Sequence, residues 1–298
     1  MEYSEYNEYS GVIAGSNRRW SERVGRALLF GAAALSALSV LAIFGFLLWF
    51  ALPVFRGEML ASLLSWQWHP LRGEFGILPM LAGSLCLSFS AMLLAYPLAL
   101  GICCFVHGAG PARAARPLMG AVRFMTSVPT VVYGLVSVFL LVPLIREGLG
   151  GSGFCWLSAS LVLSLLVTPT MVISMESAVG EVEDETSLTA AALGFTPEQN
   201  LTHVVLPASK EWLWSSAVLG FGRAAGDTLI PTMLAGNAVQ YALSPLDAMR
   251  SLTAHIGLVL SSDVGGTAYL SLFVAGGILL AISITANILF RLLRRRAI

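Results

Sequence analysis

Six long apolar runs dominate the sequence, and polar segments separate them. The runs are Ala27–Leu52, Ile77–Val106, Phe124–Ile145, Phe154–Met175, Trp212–Tyr241 and Ala268–Phe290. Each contains the roughly 20 residues that a helix needs to cross the hydrocarbon core of a bilayer. The pattern therefore predicts an all-α, polytopic membrane protein with six transmembrane helices.

The segment before the first run is polar, which divides the chain into an N-terminal tail at 1–26 and a transmembrane domain at 27–298. The first ten residues are acidic and tyrosine-rich without apolar periodicity, so we expect them to be disordered. The first run is long and lacks a clear small-residue cleavage site, which indicates an uncleaved helix rather than a signal peptide.

Basic residues are unevenly distributed between the two sides of the predicted membrane domain. Twelve lie on the side of the termini and four on the opposite side. The twelve are Arg18, Arg19, Arg23, Arg26, Arg113, Arg116, Arg123, Lys210, Arg291, Arg294, Arg295 and Arg296. Because cytoplasmic loops of membrane proteins are enriched in Lys and Arg, both termini are predicted to be cytoplasmic.

Composition agrees with a membrane protein and excludes several other classes. The chain is 56% hydrophobic and 11% charged, with a mean hydropathy of +0.79. Its net charge of zero, without a basic run interleaved with aromatics, gives no reason to expect nucleic acid as a partner. The sequence contains no phosphate-binding loop for ATP and no Cys/His spacing typical of a metal site, and we expect no cofactor in this chain.

The polar segment at about 178–207 predicts a pair of short helices outside the membrane. An alanine-rich turn is closed by Gly194, and Thr196 can cap a second helix that has Pro197 at its first position. The acidic cluster Glu181–Glu185, which lies near the start of this segment, is interpreted as a solvated face.

The fifth run contains two charged residues, Arg223 and Asp227, in an otherwise apolar segment. A charge at membrane depth costs at least ~2.5–3.5 kcal/mol on insertion scales, so such a pair indicates a functional site. Asp227 could hold Arg223 through an i,i+4 ion pair, or it could accept a hydrogen bond from a protonated anion. The alternative is that the two charges neutralise each other at a helix interface.

Other features of the runs favour irregular or closely packed helices. Pro129 and Gly134 predict a kink or local unwinding that could line a pathway, or simply a bent helix. Gly220, Gly222 and Gly226 are expected to permit close approach between helices.

The segment from Gly194 to Pro207 resembles the coupling loop, or EAA loop, of permease subunits of ABC importers. The resemblance implies that Thr189, Ala190, Ala191, Leu193, Gly194, Leu206 and Pro207 enter a groove on a separate ATPase. Leu188 stands where the family has an acidic residue.

Within these importers, four blocks resemble phosphate-transport permeases of the PstC type. They are EFGILPMLAGSL at 74–85, SVPTVVYGL at 127–135, the coupling loop, and GFGRAAGDT at 220–228. Arg223 matches the family's arginine, and Asp227 stands where glutamate is usual. The resemblance implies a type I ABC-importer permease fold, with Arg223 and Asp227 on the substrate pathway.

The resemblance also implies the rest of the assembly. This would be a second permease of the PstA type, a PstB-type ATPase dimer that binds ATP and Mg, and an extracytoplasmic phosphate-binding protein. The chain would be a multi-pass protein of the cell inner membrane and no enzyme itself. The alternatives are a permease for another oxyanion, such as molybdate or sulfate, and a membrane scaffold or sensor that transports nothing.

Overall fold

The protein is described from a computed structural model that covers residues 5–51, 64–262 and 267–295. The chain divides into two compact units, 1–52 and 53–298, each of which is considered by itself. The first unit contains one helix, α1, Glu5–Ala51. Because α1 begins at Glu5, the predicted disordered start is wrong from that residue onward.

The second unit is almost entirely helical. Its helices are α2 (Leu78–Cys104), α3 (Ala112–Ser127), α4 (Thr130–Leu149), α5 (Trp156–Ala192), α6 (Pro197–Asn200), α7 (Leu206–Ala208), α8 (Lys210–Gly226), α9 (Leu229–Leu234), α10 (Leu252–Ser262) and α11 (Thr267–Arg295). Short π-helical turns, Phe105–Ala109 and Leu201–Val205, follow α2 and α6. A small hairpin of β1 (Trp68–His69) and β2 (Glu74–Phe75) precedes α2.

Five of the described helices are long and apolar enough to cross a membrane. They are Glu22–Leu47, Leu78–Gly108, Thr130–Leu149, Trp156–Ala192 and Ser271–Leu292. The predicted fifth span, Trp212–Tyr241, is instead divided into α8 and the short α9. The third predicted run is also divided, because the chain leaves the helical conformation at Val128 and Pro129. The polytopic all-α architecture is confirmed, and these two boundaries are corrected.

The core of the second unit forms where α2 and α5 pack together. Small residues recur every fourth position on α2, at Ala91, Ala95 and Ala99, and all are fully buried. Larger buried residues recur at the same interval on α5: Leu163, Val167, Met171 and Met175. Because residues four apart share one helix face, small side chains on α2 let the bulkier face of α5 approach closely.

The start of α5 is held by the loop between α9 and α10. The backbone N–H groups of Trp156 and Leu157 donate to the carbonyls of Asp247 and Pro245, at 2.9 and 2.8 Å. The first N–H groups of a helix have no partner within the helix, so these bonds satisfy them. The opposite end of α5 continues past the predicted limit of the fourth run to Ala192.

Gly220 gives a test of the predicted close approach between helices. A methyl group added at Gly220 would lie 2.5 Å from the Sδ atom of the fully buried Met171, whereas one added at Gly226 would meet no atom of this chain within 4 Å. We expect Gly220→Ala to destabilise the protein by about 1–3 kcal/mol through overpacking. Thermal unfolding in detergent measures the change, and Gly226→Ala is the matched control. Equal melting temperatures for the two variants would contradict the assigned contact.

Candidate functional site

Arg223 lies in the last turn of α8, shortly before this helix ends at Gly226 and the chain turns into α9. The interruption between α8 and α9 is stabilised locally, because the Asp227 carboxylate accepts a hydrogen bond from the Ile230 backbone N–H at 2.9 Å. The Asp227 carbonyl accepts a second bond from the Thr253 hydroxyl at 2.8 Å, which connects the break to α10. Asp227 therefore acts in this structure as a cap for the start of α9.

The ion pair considered between Arg223 and Asp227 is not formed. Within the described part of the chain, the ion pair observed joins His107 and Glu183 instead. Asp227 is half-buried and directed to the backbone of α9, whereas Arg223 is exposed on the surface of this subunit. A direct contact with Asp227 is therefore not what keeps Arg223 in an apolar helix.

Arg223 opens into a cavity of about 330 Å³ formed by α5, α8 and α11. The polar side chains that share its lining are Thr170 from α5 and Ser283 and Asn287 from α11, among apolar neighbours that include Leu219 and Phe290. A cationic guanidinium surrounded by hydroxyl and amide groups is suited to a hydrated anion with several oxygen atoms.

A larger groove of about 780 Å³ lies between α2, α8 and α11, on the other side of α8. Its lining includes Leu85, Phe89, Trp214 and Ile282, and it contains no charged side chain. Despite its greater volume, the groove has no cationic side chain that could compensate an anion for lost water. The smaller cavity around Arg223 is therefore the candidate site.

The predicted coupling segment is a helix–turn–helix, as its spacing indicated. The backbone N–H of Phe195 donates to the Ala190 carbonyl and that of Gly194 to the Ala191 carbonyl, each at 3.0 Å. Gly194 has φ +79°, so the two bonds form the Schellman motif, in which glycine is favoured. Thr189, Ala190 and Ala191 thus end α5, which is a continuation of the fourth span rather than a separate short helix.

The second half of the coupling segment begins with a capping box. The Thr196 hydroxyl accepts from the Gln199 N–H at 3.3 Å, and the Gln199 side chain accepts from the Thr196 N–H at 2.9 Å. Pro197 occupies the first helical position, as predicted. The helix continues through the π-helical turn to Leu206 and Pro207, which begin α7.

The turn of the coupling segment presents apolar side chains to solvent. Leu188 is 82% exposed, Leu193 is 71% exposed and Phe195 is 41% exposed. The base of the segment is buried in contrast, since Leu201 and Val205 belong to the core. Leu193 thus lies at the tip of a rigid, capped projection whose apolar surface is available for a protein partner.

The coupling segment is attached to the end of α2 by contacts that the sequence did not indicate. His107 Nδ1 and Glu183 Oε2 lie 2.5 Å apart. A methyl group added at Gly108 would lie 2.7 Å from a side-chain carbon of Leu201, so glycine allows the two segments to touch. The solvated-face interpretation is therefore wrong for Glu183 alone, since Glu181, Asp184 and Glu185 are exposed as predicted.

The structure places Pro129 and Gly134 in different environments. Pro129 precedes the first residue of α4, which accounts for the predicted local unwinding. Gly134 lies inside α4, where an added methyl group would be 2.6 Å from Met233 Sδ of α9. Gly134 therefore permits close packing of α4 against α9, and a role in lining the pathway stays a prediction for both residues.

Thr170, Ser283 and Asn287 were not singled out from the sequence. Asn287 is the one amide side chain in the sixth apolar run, with Ser283 four residues before it. That spacing places both on one helix face and was a usable signal. Thr170 had no such signal, because its relation to Arg223 depends on how α5 packs against α8.

Comparison with known proteins places the fold in an established family. Residues 109–298 match the family model described as "Binding-protein-dependent transport system inner membrane component". The chain is 30% identical to the probable ABC transporter permease protein YqgH of Bacillus subtilis, over 78% of this chain and 77% of that protein. It is 26% identical to the phosphate transport system permease protein PstC of Haemophilus influenzae, over 82% and 83% of the two chains.

A solved structure supports the fold independently. The chain resembles an inward-facing conformation of the MetNI methionine ABC transporter with a TM-score of 0.56 and 16% identity. The similarity covers 76% of this chain and 99% of the other. The family model and the PstC relatives confirm the resemblance to importer permeases of the PstC type, and the solved structure confirms the fold.

Proposed function

Because the chain belongs to the binding-protein-dependent transport system inner membrane component family, we propose that it is the permease subunit of an ATP-driven phosphate importer. It forms half of the anion pathway, and a second permease of the PstA type supplies the other half. The observation that supports this best is the position of Arg223, exposed at a cavity lined with polar groups inside an otherwise apolar helix bundle. The PstC names of the relatives point to phosphate as the substrate.

The chemistry of the cavity fits phosphate. Near pH 7 phosphate carries one to two negative charges, and moving it through an apolar bundle requires compensation for its lost water. The guanidinium of Arg223 offers a planar fork that can donate to two oxygens at once. The exposure of Arg223 on this subunit is what a pathway between two permease subunits requires, because both partners must reach the anion.

The coupling segment supplies the connection to ATP hydrolysis, which takes place on a PstB-type ATPase dimer that binds ATP and Mg. Leu193 and Gly194 at the turn enter a groove on that ATPase. The segment leads through α7 directly into α8, which carries Arg223. Movement of the ATPase is thus transmitted to the anion site along about thirty residues of chain.

The orientation in the membrane follows from the bias of basic residues. The coupling segment and both termini are cytoplasmic, and the loop between α9 and α10 is extracytoplasmic. A phosphate-binding protein docks on that outer side. This chain itself has no catalytic role and holds no cofactor.

Reconstitution tests the proposal. The assembled importer in proteoliposomes, supplied with ATP, Mg and binding protein, should take up labelled phosphate, and phosphate-loaded binding protein should stimulate its ATPase activity. Stimulation by molybdate or sulfate in place of phosphate would assign another oxyanion. ATPase binding without uptake of any anion would instead indicate a scaffold or sensor.

A further inference from the structure

Asn287 lies beside the Arg223 cavity on α11, one helical turn beyond Ser283. Its amide is held by a hydrogen bond between Nδ2 and the Ser283 carbonyl oxygen, 3.0 Å apart. A carbonyl oxygen only accepts, so the amide atom next to it is the nitrogen that carries the protons. The bond therefore fixes the orientation of the amide and leaves Oδ1 as an acceptor at the cavity.

The acid considered for this role, Asp227, is engaged elsewhere. The Asp227 carboxylate accepts from the Ile230 N–H and caps α9. A carboxylate would also repel an anion, whereas an amide oxygen accepts a hydrogen bond without adding negative charge. Among the polar side chains of the cavity, Arg223 offers only donors, and the hydroxyls of Thr170 and Ser283 can rotate either to donate or to accept.

A site built only from fixed donors and rotatable hydroxyls accommodates any tetrahedral oxyanion, because a hydroxyl can donate to an unprotonated oxygen or accept from a protonated one. At pH 7 phosphate and arsenate keep at least one proton, whereas sulfate has none to donate. An acceptor in the site discriminates between these classes, because an unprotonated oxygen placed against another acceptor leaves both groups unsatisfied.

We propose that Asn287 Oδ1 accepts a hydrogen bond from the protonated oxygen of phosphate bound at Arg223, and that Asn287 thereby determines selectivity for protonated over fully ionised oxyanions. The proposal rests on the proposed function, since it assigns a specificity-determining residue to the same cavity. It assigns to Asn287 the role considered for Asp227, that of accepting a hydrogen bond from a protonated anion. Arg223 supplies charge and affinity, and Asn287 supplies the choice between anions.

Anion binding to the purified assembly without the binding protein tests the selectivity of the permease itself. The probe is labelled inorganic phosphate at pH 7, with arsenate and sulfate as competitors. The wild type should bind phosphate, and arsenate should displace it much better than sulfate. In Asn287→Leu we expect the affinity for phosphate to fall about tenfold and the affinity for sulfate to change little. The ratio of the two affinities, which measures discrimination, should therefore fall about tenfold.

Two variants separate the role in recognition from a merely structural one. Asn287→Asp keeps an acceptor, so it should preserve discrimination while it weakens the binding of all anions by repulsion. Thr285 lies on the same helix but lines the apolar groove instead of the cavity. Thr285→Val should therefore leave the affinities for phosphate and sulfate unchanged.

The outcomes distinguish this proposal from the proposed function. Unchanged discrimination in Asn287→Leu overturns the role of Asn287, as does a wild type that binds phosphate and sulfate equally or binds neither. If Arg223→Ala loses phosphate binding and uptake while Asn287→Leu discriminates normally, the pathway stands and only the selectivity assignment fails. If Arg223→Ala transports normally, the site itself is wrong.

Discussion

Alanine in place of Arg223 should abolish phosphate uptake while the protein still folds and assembles. The exposed guanidinium makes no direct ion pair with Asp227, so its removal leaves the hydrogen bond between the Asp227 carboxylate and the Ile230 N–H in place. Two hydrogen bonds from a charged donor contribute about 1.5–3 kcal/mol each, and their loss should slow transport by about two orders of magnitude or more. Uptake of labelled phosphate into proteoliposomes measures this effect.

Arg223→Lys and Arg146→Ala are the controls. Lysine keeps the charge but lacks the planar fork, so intermediate uptake is expected. Arg146 is exposed, far along the chain from the site, and donates to the Ser152 carbonyl, so its replacement should leave uptake near normal. Normal uptake by Arg223→Ala, at equal amounts of assembled protein, is the result that would contradict the pathway.

Aspartate in place of Leu193 should release the ATPase. Leu193 is 71% exposed at the turn of the capped projection, although apolar side chains outside the membrane gain nothing from contact with water. In the proposed assembly this side chain is buried in a groove, where an unpaired charge is costly. We expect at least a tenfold loss of ATPase affinity, measured by co-purification, and a matching loss of uptake.

The same segment provides a matched control for that variant. Glu198 is exposed and lies four residues beyond Gly194, on the far side of the turn. Glu198→Gln changes the charge by one unit, as Leu193→Asp does, and should leave assembly intact. Retention of the ATPase by Leu193→Asp would show that the projection is not the point of contact.

Features of the site that depend on neighbouring residues were predictable from the sequence. Gly194 ends one helix and Thr196–Pro197 begins the next, and both occur because caps and left-handed turns are determined within a few residues. Arg223 could be singled out because the energetic cost of a charge in an apolar run does not depend on the fold.

Features that depend on packing were not predictable. The contact between His107 and Glu183 joins residues 76 apart, and neither residue type indicates it. The sequence did not reveal the division of the fifth span at Asp227, because the apolar run continues from α8 through Leu229–Leu234. The structure ends α8 at Gly226 and begins a separate helix, α9, at Leu229. From the sequence alone, an aspartate that caps a helix cannot be distinguished from one that pairs with an arginine four residues away. The distinction needs the position of the Ile230 N–H, which donates to the Asp227 carboxylate.

The continuity of α5 connects the Arg223 cavity to the coupling segment through a single helix. Its 37 residues extend about 55 Å, well beyond the roughly 30 Å of the hydrocarbon core. Pro169 interrupts the hydrogen bonding inside this helix, and the next residue is Thr170 of the Arg223 cavity. Pro169 is therefore the position where α5 bends most easily, and it adjoins the cavity. In the proposed importer, a bend there would change the distance between Thr170 and Arg223, and with it the width of the anion pathway.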